Sequence, residues 1–300
     1  MNILIAGGTG LIGTALVALM EERGDSVRIL TRSPNLTSNG AVGYAHWQGS
    51  AGPELGSHIT WSDAVVNLAG ANIGSKRWSN QRKKEILDSR VKSTSALAEA
   101  VARSDAPPHV LVQASAVGYY GYHPTETVLT EDSPVGPDFL AGVCQAWETA
   151  ANPVASKGVR LAIARFGVVL SPDGGALQRM LPAARMGAGG RLGSGRQPFP
   201  WIHLRDAAAA VKFLIDKQDA QGPFNVASPE PCSNGEFARS LARRVRRPIL
   251  LFLPAFQVRL MFGEMADMLL EGQNASAQRL QDAGFSFAFE NLDAALHDLV

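Results

Sequence analysis

The sequence predicts an α/β chain built on a doubly wound parallel sheet, with a smaller, mainly helical lobe toward the C-terminus. Three observations carry that prediction: short apolar runs of strand length recur along the chain, amphipathic helical stretches lie between them, and no internal repeat is present. At 300 residues the chain is long enough for one such domain with an appended lobe.

Ile3-Leu4-Ile5 reads as a buried strand, Gly7-x-x-Gly10-x-x-Gly13 as a turn, and Leu16, Val17 and Leu19 as the inner face of a first helix. A helix opening directly after a strand offers unpaired backbone N–H groups and a positive dipole end, which suit a dinucleotide pyrophosphate. Gly7 allows the tight turn, Gly10 lets the backbone approach a phosphate, and Gly13 lets the helix pack closely on the strand. Gly24 and Asp25 then turn the chain into a second strand, Val27 to Leu30. In Rossmann domains the end of that strand meets the adenosine ribose, where an acid binds the 2′-hydroxyl of NAD and a basic residue accepts the 2′-phosphate of NADP. Here the strand ends Leu30-Thr31-Arg32, with Asp25 at the opposite end, which points to NADP.

Residues 35–61 read as irregular with one strand around Val42 to Trp47. Ala64 to Gly70 is a buried strand whose small last residues let a cofactor lie against the backbone. Trp78 to Val101 has helical periodicity, with Leu87, Val91, Ala98 and Val101 on one face and Ser79 as N-cap; Arg90 is placed to reach a phosphate or substrate. Pro107 and Pro108 lead into the strand Val110-Leu111-Val112, and Leu161 to Val168 continues the sheet. Segment 171–200 is rich in Gly, Pro and Arg and is expected to leave the sheet. Trp201 to Asp206 opens a helix through Leu214, and Pro223 to Ala227 is the last strand. The expected division is 1–170 with 201–228 as the nucleotide-binding half, and 171–200 with 229–300 as the smaller substrate-side lobe.

A formal net charge of +1 gives no reason to expect nucleic acid or an anionic membrane as partner. Cys144 and Cys232 make no disulfide framework, and no Cys/His group has zinc-site spacing. With no leader-like or membrane-length apolar segment, a soluble cytoplasmic protein acting on a small molecule is expected, its oligomeric state open.

The glycine turn, Asn67-Leu68-Ala69-Gly70 and the run Ser115 to Gly121 resemble an extended short-chain dehydrogenase/reductase. Lys76-Arg77-Trp78, Trp147-Glu148, Pro172-Asp173-Gly174-Gly175, Gly193-Ser194-Gly195 and Trp201-Ile202-His203 resemble more narrowly its "epimerase family" branch, whose members are often labelled nucleoside-diphosphate-sugar epimerases or cell-division-inhibitor-like proteins. The resemblance implies NADP(H) held by Gly7, Thr9, Gly10, Leu11, Ile12, Gly13, Thr31, Arg32, Asn67, Leu68 and Ala69, with Glu85 and Arg90 close by. Active members of the superfamily use a Tyr-x-x-x-Lys pair. Counted back from Trp147-Glu148, Leu140 and Cys144 stand in its place, so the standard acid/base is absent.

The remaining candidates for proton transfer are Tyr119, Tyr120 and His203, with Ser115 as a hydroxyl near the nicotinamide and Arg196 and Trp201 toward substrate. Arg90 or Lys76 is the cation that a catalytic tyrosine would need, and Cys144 reads as an inert buried thiol. Two functions stay open: an NADP-dependent oxidoreductase or epimerase of atypical mechanism on a small or sugar-like substrate, and a non-catalytic NADPH-responsive regulatory protein.

Overall fold

The structure is a computed structural model describing residues 1–33, 36, 40–248 and 251–300. Seven parallel strands form its centre: β1 (Asn2–Ala6), β2 (Ser26–Thr31), β3 (Val42–His46), β4 (Ala64–Asn67), β5 (Val110–Ala116), β6 (Arg160–Phe166) and β7 (Gly222–Val226). Their spatial order is β3-β2-β1-β4-β5-β6-β7, which reverses direction at β1. In a doubly wound sheet that reversal opens a crevice at the carboxyl ends of the strands, the standard place for a ligand.

The strands are apolar on both faces because both are covered. Ile3, Ile5, Ala64, Val66, Val110 and Val112 face α1 (Leu11–Glu22) and α6 (Leu204–Asp216). Leu4, Val65 and Leu111 face the other way, onto α2 (Pro53–Trp61) and α3 (Asn80–Arg103). α4 (Phe139–Thr149) lies beside α3. Ser79 caps α3, its hydroxyl accepting from the Arg82 N–H, as the sequence predicts. On the expected face of α3, Ala98 and Val101 are fully buried as predicted, but Leu87 and Val91 are only half-buried, and Ile86 and Leu97 are buried in addition.

Other boundaries also differ. The strand expected at 64–70 stops at Asn67. The strand expected at 161–168 breaks at Gly167, where a Cβ would lie 2.4 Å from the Pro200 carbonyl oxygen. Beyond it Val168–Ser171 pairs in parallel with Trp201–His203, so Trp201 to His203 is a strand rather than a helix start. Residues 171–200 do leave the sheet, carrying α5 (Gly175–Arg185); within the irregular stretch, α2 forms over Pro53–Trp61. Asn35 and Thr37 to Asn39 of that stretch lie outside the described residues. α7 (Asn234–Arg244), opened by a capping box between Ser233 and Glu236, and α8 (Ala255–Phe262) belong to the C-terminal part, which also contains short strands. Trp201 and Phe237 anchor a separate core there, with Leu170, Leu177 and Leu296.

Candidate functional site

The glycine turn closes β1 onto α1. Gly7 has φ +80°, and a Cβ on it would sit 2.7 Å from the Leu68 carbonyl carbon. On Gly13 a Cβ would sit 2.3 Å from the Gly7 carbonyl oxygen. Both positions therefore require glycine. Gly10 is the N-cap of α1 and supplies no side-chain acceptor, so the N–H groups of the first turn remain available to a ligand. Thr9 and Gly10 are exposed and Leu11 and Ile12 half-exposed, so the turn presents its backbone to the crevice. A tight turn whose backbone is exposed at a helix start lacking a side-chain cap fits a pyrophosphate. At the end of β2, Thr31 is buried and its hydroxyl accepts from the Ser33 N–H at 3.1 Å, whereas Arg32 is exposed with no ion pair among the described residues.

Asn67 supports this site from beneath. It is wholly buried, its amide donating to Thr94 Oγ1 at 2.8 Å and Gln113 Oε1 at 2.9 Å, while its oxygen accepts from the Ala69 N–H at 3.2 Å. Thus it shapes the turn at Leu68 and Ala69, which are the half-exposed residues there. Arg90 donates to the Ala71 carbonyl at 3.1 Å and lies over the Trp147 ring at 4.8 Å. Glu85 is exposed and pairs with Arg82, which in turn holds Ser75 Oγ at 2.9 Å; both thereby brace the loop after β4.

Next to this crevice, strand register brings polar residues into one row: Ser115 opposite Arg165, and Arg165 opposite Asn225. Buried polar groups on covered strands must pair, and these do. Arg165 donates to Glu148 through Nε and Nη2, at 2.8 Å each, and through Nη1 to the Tyr120 hydroxyl at 3.0 Å. Ser115 donates to Glu148 Oε1 at 2.6 Å, and Tyr120 to Asn225 Oδ1 at 2.6 Å. Burial opposes the Arg165 charge, but Glu148 and Tyr120 outweigh it and its pKa rises; burial pushes Tyr120 up to about 12. None of Glu148, Arg165 and Asn225 stood out as a site residue in the sequence. The available signal was a polar residue breaking an otherwise apolar strand at Arg165 and at Asn225; Glu148, on α4, gave none.

Tyr119 stands differently. It is half-buried, Arg165 lies 3.5 Å above its ring, and its hydroxyl has no hydrogen-bond partner among the described residues. The cation beside it is Arg165, not Arg90 or Lys76. Leu140 and Cys144 face the same strand end, with Leu140 Cβ 3.6 Å and Cys144 Sγ 4.0 Å from where a Gly118 Cβ would be. Burial pushes the Cys144 thiol up to about 11, with Glu148 adding to the effect.

The remaining candidates lie apart from that network. His203 caps α6: its Nδ1 accepts from the Arg205 N–H at 3.0 Å, and Nε2 faces Asp298 at 3.2 Å. It is 1 % exposed and stacks on Phe289 at 3.8 Å. Trp201 is likewise 1 % exposed, packed in the C-terminal core, with a buried Nε1 that has no partner among the described residues. Arg196 is exposed on the loop after Gly195.

A doubly wound sheet with this turn at its crevice defines a Rossmann protein of the extended short-chain dehydrogenase/reductase class. The chain belongs to the NAD dependent epimerase/dehydratase family, whose profile matches residues 3–227; a domain of unknown function matches residues 253–299. It is 44 % identical over 297 residues to an epimerase family protein of Mycobacterium bovis, covering 98 % of this chain and 96 % of that one. An epimerase family protein of Staphylococcus haemolyticus is 39 % identical over 302 residues, covering 100 % and 99 %. The crystal structure of a human epimerase family protein with NADPH superposes with a TM-score of 0.89 at 35 % identity, covering 100 % of this chain and 99 % of that one. The atypical epimerase-family branch is therefore the right one, and its missing Tyr-x-x-x-Lys pair is a property of this chain.

Proposed function

We propose that the protein binds NADP(H) and acts as an oxidoreductase or epimerase on a small or sugar-like molecule held between the nucleotide-binding half and the C-terminal lobe. The observation carrying the nucleotide part is the Gly7–Gly13 cradle with Arg32 exposed at the end of β2. The NADPH bound by the human relative supports it. When bound, the nicotinamide supplies or accepts a hydride. This chain then has to orient the substrate, exclude water and move one proton.

Tyr119 is the proton-transfer group this reading favours, because its hydroxyl is unengaged among the described residues while Arg165 fixes its ring. Ser115, Tyr120 and His203 act as framework, since each is at most 3 % exposed and engaged by protein partners. Trp201 serves the lobe's core, and Arg196 remains available to an anionic substrate group. The test is stereospecific loss of label from 4-deuterated NADPH across a panel of carbonyl compounds and nucleotide sugars. Turnover that collapses in Tyr119→Phe and survives in His203→Asn supports this assignment; full activity in Tyr119→Phe removes it.

A second reading has its own support. Leu140 and Cys144 occupy the acid/base positions, and the Cys144 thiol is held protonated. Tight NADPH binding with no turnover on any substrate would make the protein a nucleotide-responsive regulator.

A further inference from the structure

Three segments meet around the start of α1 and close a circuit. The first junction is Gly7 against Leu68, whose carbonyl carbon lies 2.7 Å from a Gly7 Cβ position. The second is Leu11, whose Cδ1 lies 3.1 Å from a Gly174 Cβ position just before α5. Arg179, one turn into α5, closes the third by donating through Nη1 to the Gly74 carbonyl. The loop from Leu68 to Gly74 is itself pinned along α3: Ser89 accepts from the Ala71 N–H at 3.0 Å, Arg90 donates to the Ala71 carbonyl at 3.1 Å, and Arg82 donates to the Asn72 carbonyl.

Two of the three junctions are backbone or apolar packing. The third is one exposed side chain reaching a carbonyl 105 positions away in the sequence. It is the junction that opens at least cost, because an exposed arginine regains water when it lets go.

We propose that Arg179 is a positioning residue that clasps this ring shut over the nucleotide, so that entry and exit of NADP(H) wait for the Arg179–Gly74 contact to open. This rests on the reading that the nucleotide lies at the glycine turn. One consequence is chemical. An enzyme with net oxidation or reduction must exchange its nucleotide at every turnover and runs no faster than the clasp opens. A reaction that returns the hydride to its substrate is free of that limit.

The test is rapid-mixing measurement of NADPH association, and of its displacement by excess NADP⁺, on the full chain without substrate. In Arg179→Ala both rates are expected to rise by about tenfold, the scale of one charge-assisted hydrogen bond, with Kd nearly unchanged. A residue that merely contacted the nucleotide would raise dissociation alone. Arg179→Lys, which still donates to the carbonyl, is expected to restore slow exchange. Wild-type exchange rates in Arg179→Ala would overturn the clasp while leaving nucleotide binding intact; no NADPH binding by the wild-type chain would overturn both.

Discussion

Glu148 and Arg165 meet edge to edge, two hydrogen bonds of 2.8 Å joining α4 to β6, with side chains 11 % and 4 % exposed. Removing one member leaves the other charged and unpaired. Glu148→Ala is expected to cost about 3–5 kcal/mol of folding stability. The double change Glu148→Met with Arg165→Met should cost much less, because no charge is stranded. Urea unfolding of the three proteins checks this; equal losses in single and double variants would contradict it.

Glycines of the turn and glycines elsewhere should behave oppositely. Gly13→Ala pushes a methyl into the Gly7 carbonyl and should cost about 1–3 kcal/mol while abolishing nucleotide binding. Gly142, exposed within α4, has nothing within 4 Å of its Cβ position. Gly142→Ala should therefore stabilise the chain by about 0.5–1 kcal/mol and leave NADPH affinity unchanged. Thermal shift with and without NADPH separates the two.

Burial pushes His203 below its ordinary value, with Asp298 and Asp206 acting the other way. The folded chain therefore binds fewer protons there than the unfolded chain once pH falls below about 6.5. The contribution to stability is complete above that value and is lost as pH drops toward the depressed one. His58 and His109 shift in the same direction, so the comparison is with His203→Asn, which keeps a capping acceptor. The variant should lose less stability than wild type between pH 7.5 and 5.5; identical losses would contradict the assignment.

The strands were legible because buried parallel strands read as unbroken apolar runs, and α3 because its cap and period agree. Segments with mixed local signals were not. α2 follows Gly52, begins at Pro53 and contains Gly56, and α5 contains Pro182, so neither presents a clean helical pattern. Trp201 to His203 is too short to show alternation, and its strand character comes from a partner segment more than thirty positions earlier. The glycine turn was readable because its constraint is local, a glycine at each crowded point. The polar row was not, because Ser115, Glu148, Arg165 and Asn225 become neighbours only through strand register and the placement of α4. The same limit hid the Arg179–Gly74 contact.

Cys144 provides a simple chemical check. A thiol with its pKa near 11 is almost wholly protonated at pH 8, and its side chain is buried. Modification by a disulfide reagent should be slow in the folded chain and rapid after unfolding in urea. Fast labelling of native Cys144, assigned by peptide mass, would contradict its inert placement against Gly118.

Nucleotide choice tests the account most directly. Arg32 stands exposed at the end of β2, and with the proposed NADP(H) role calorimetric titration should give tighter binding of NADPH than NADH by about 10–100-fold, the scale of one charged hydrogen-bonding pair. Arg32→Ala should erase most of that difference by weakening NADPH alone. Equal affinities of the wild-type chain for the two nucleotides, or binding of neither, would contradict the account.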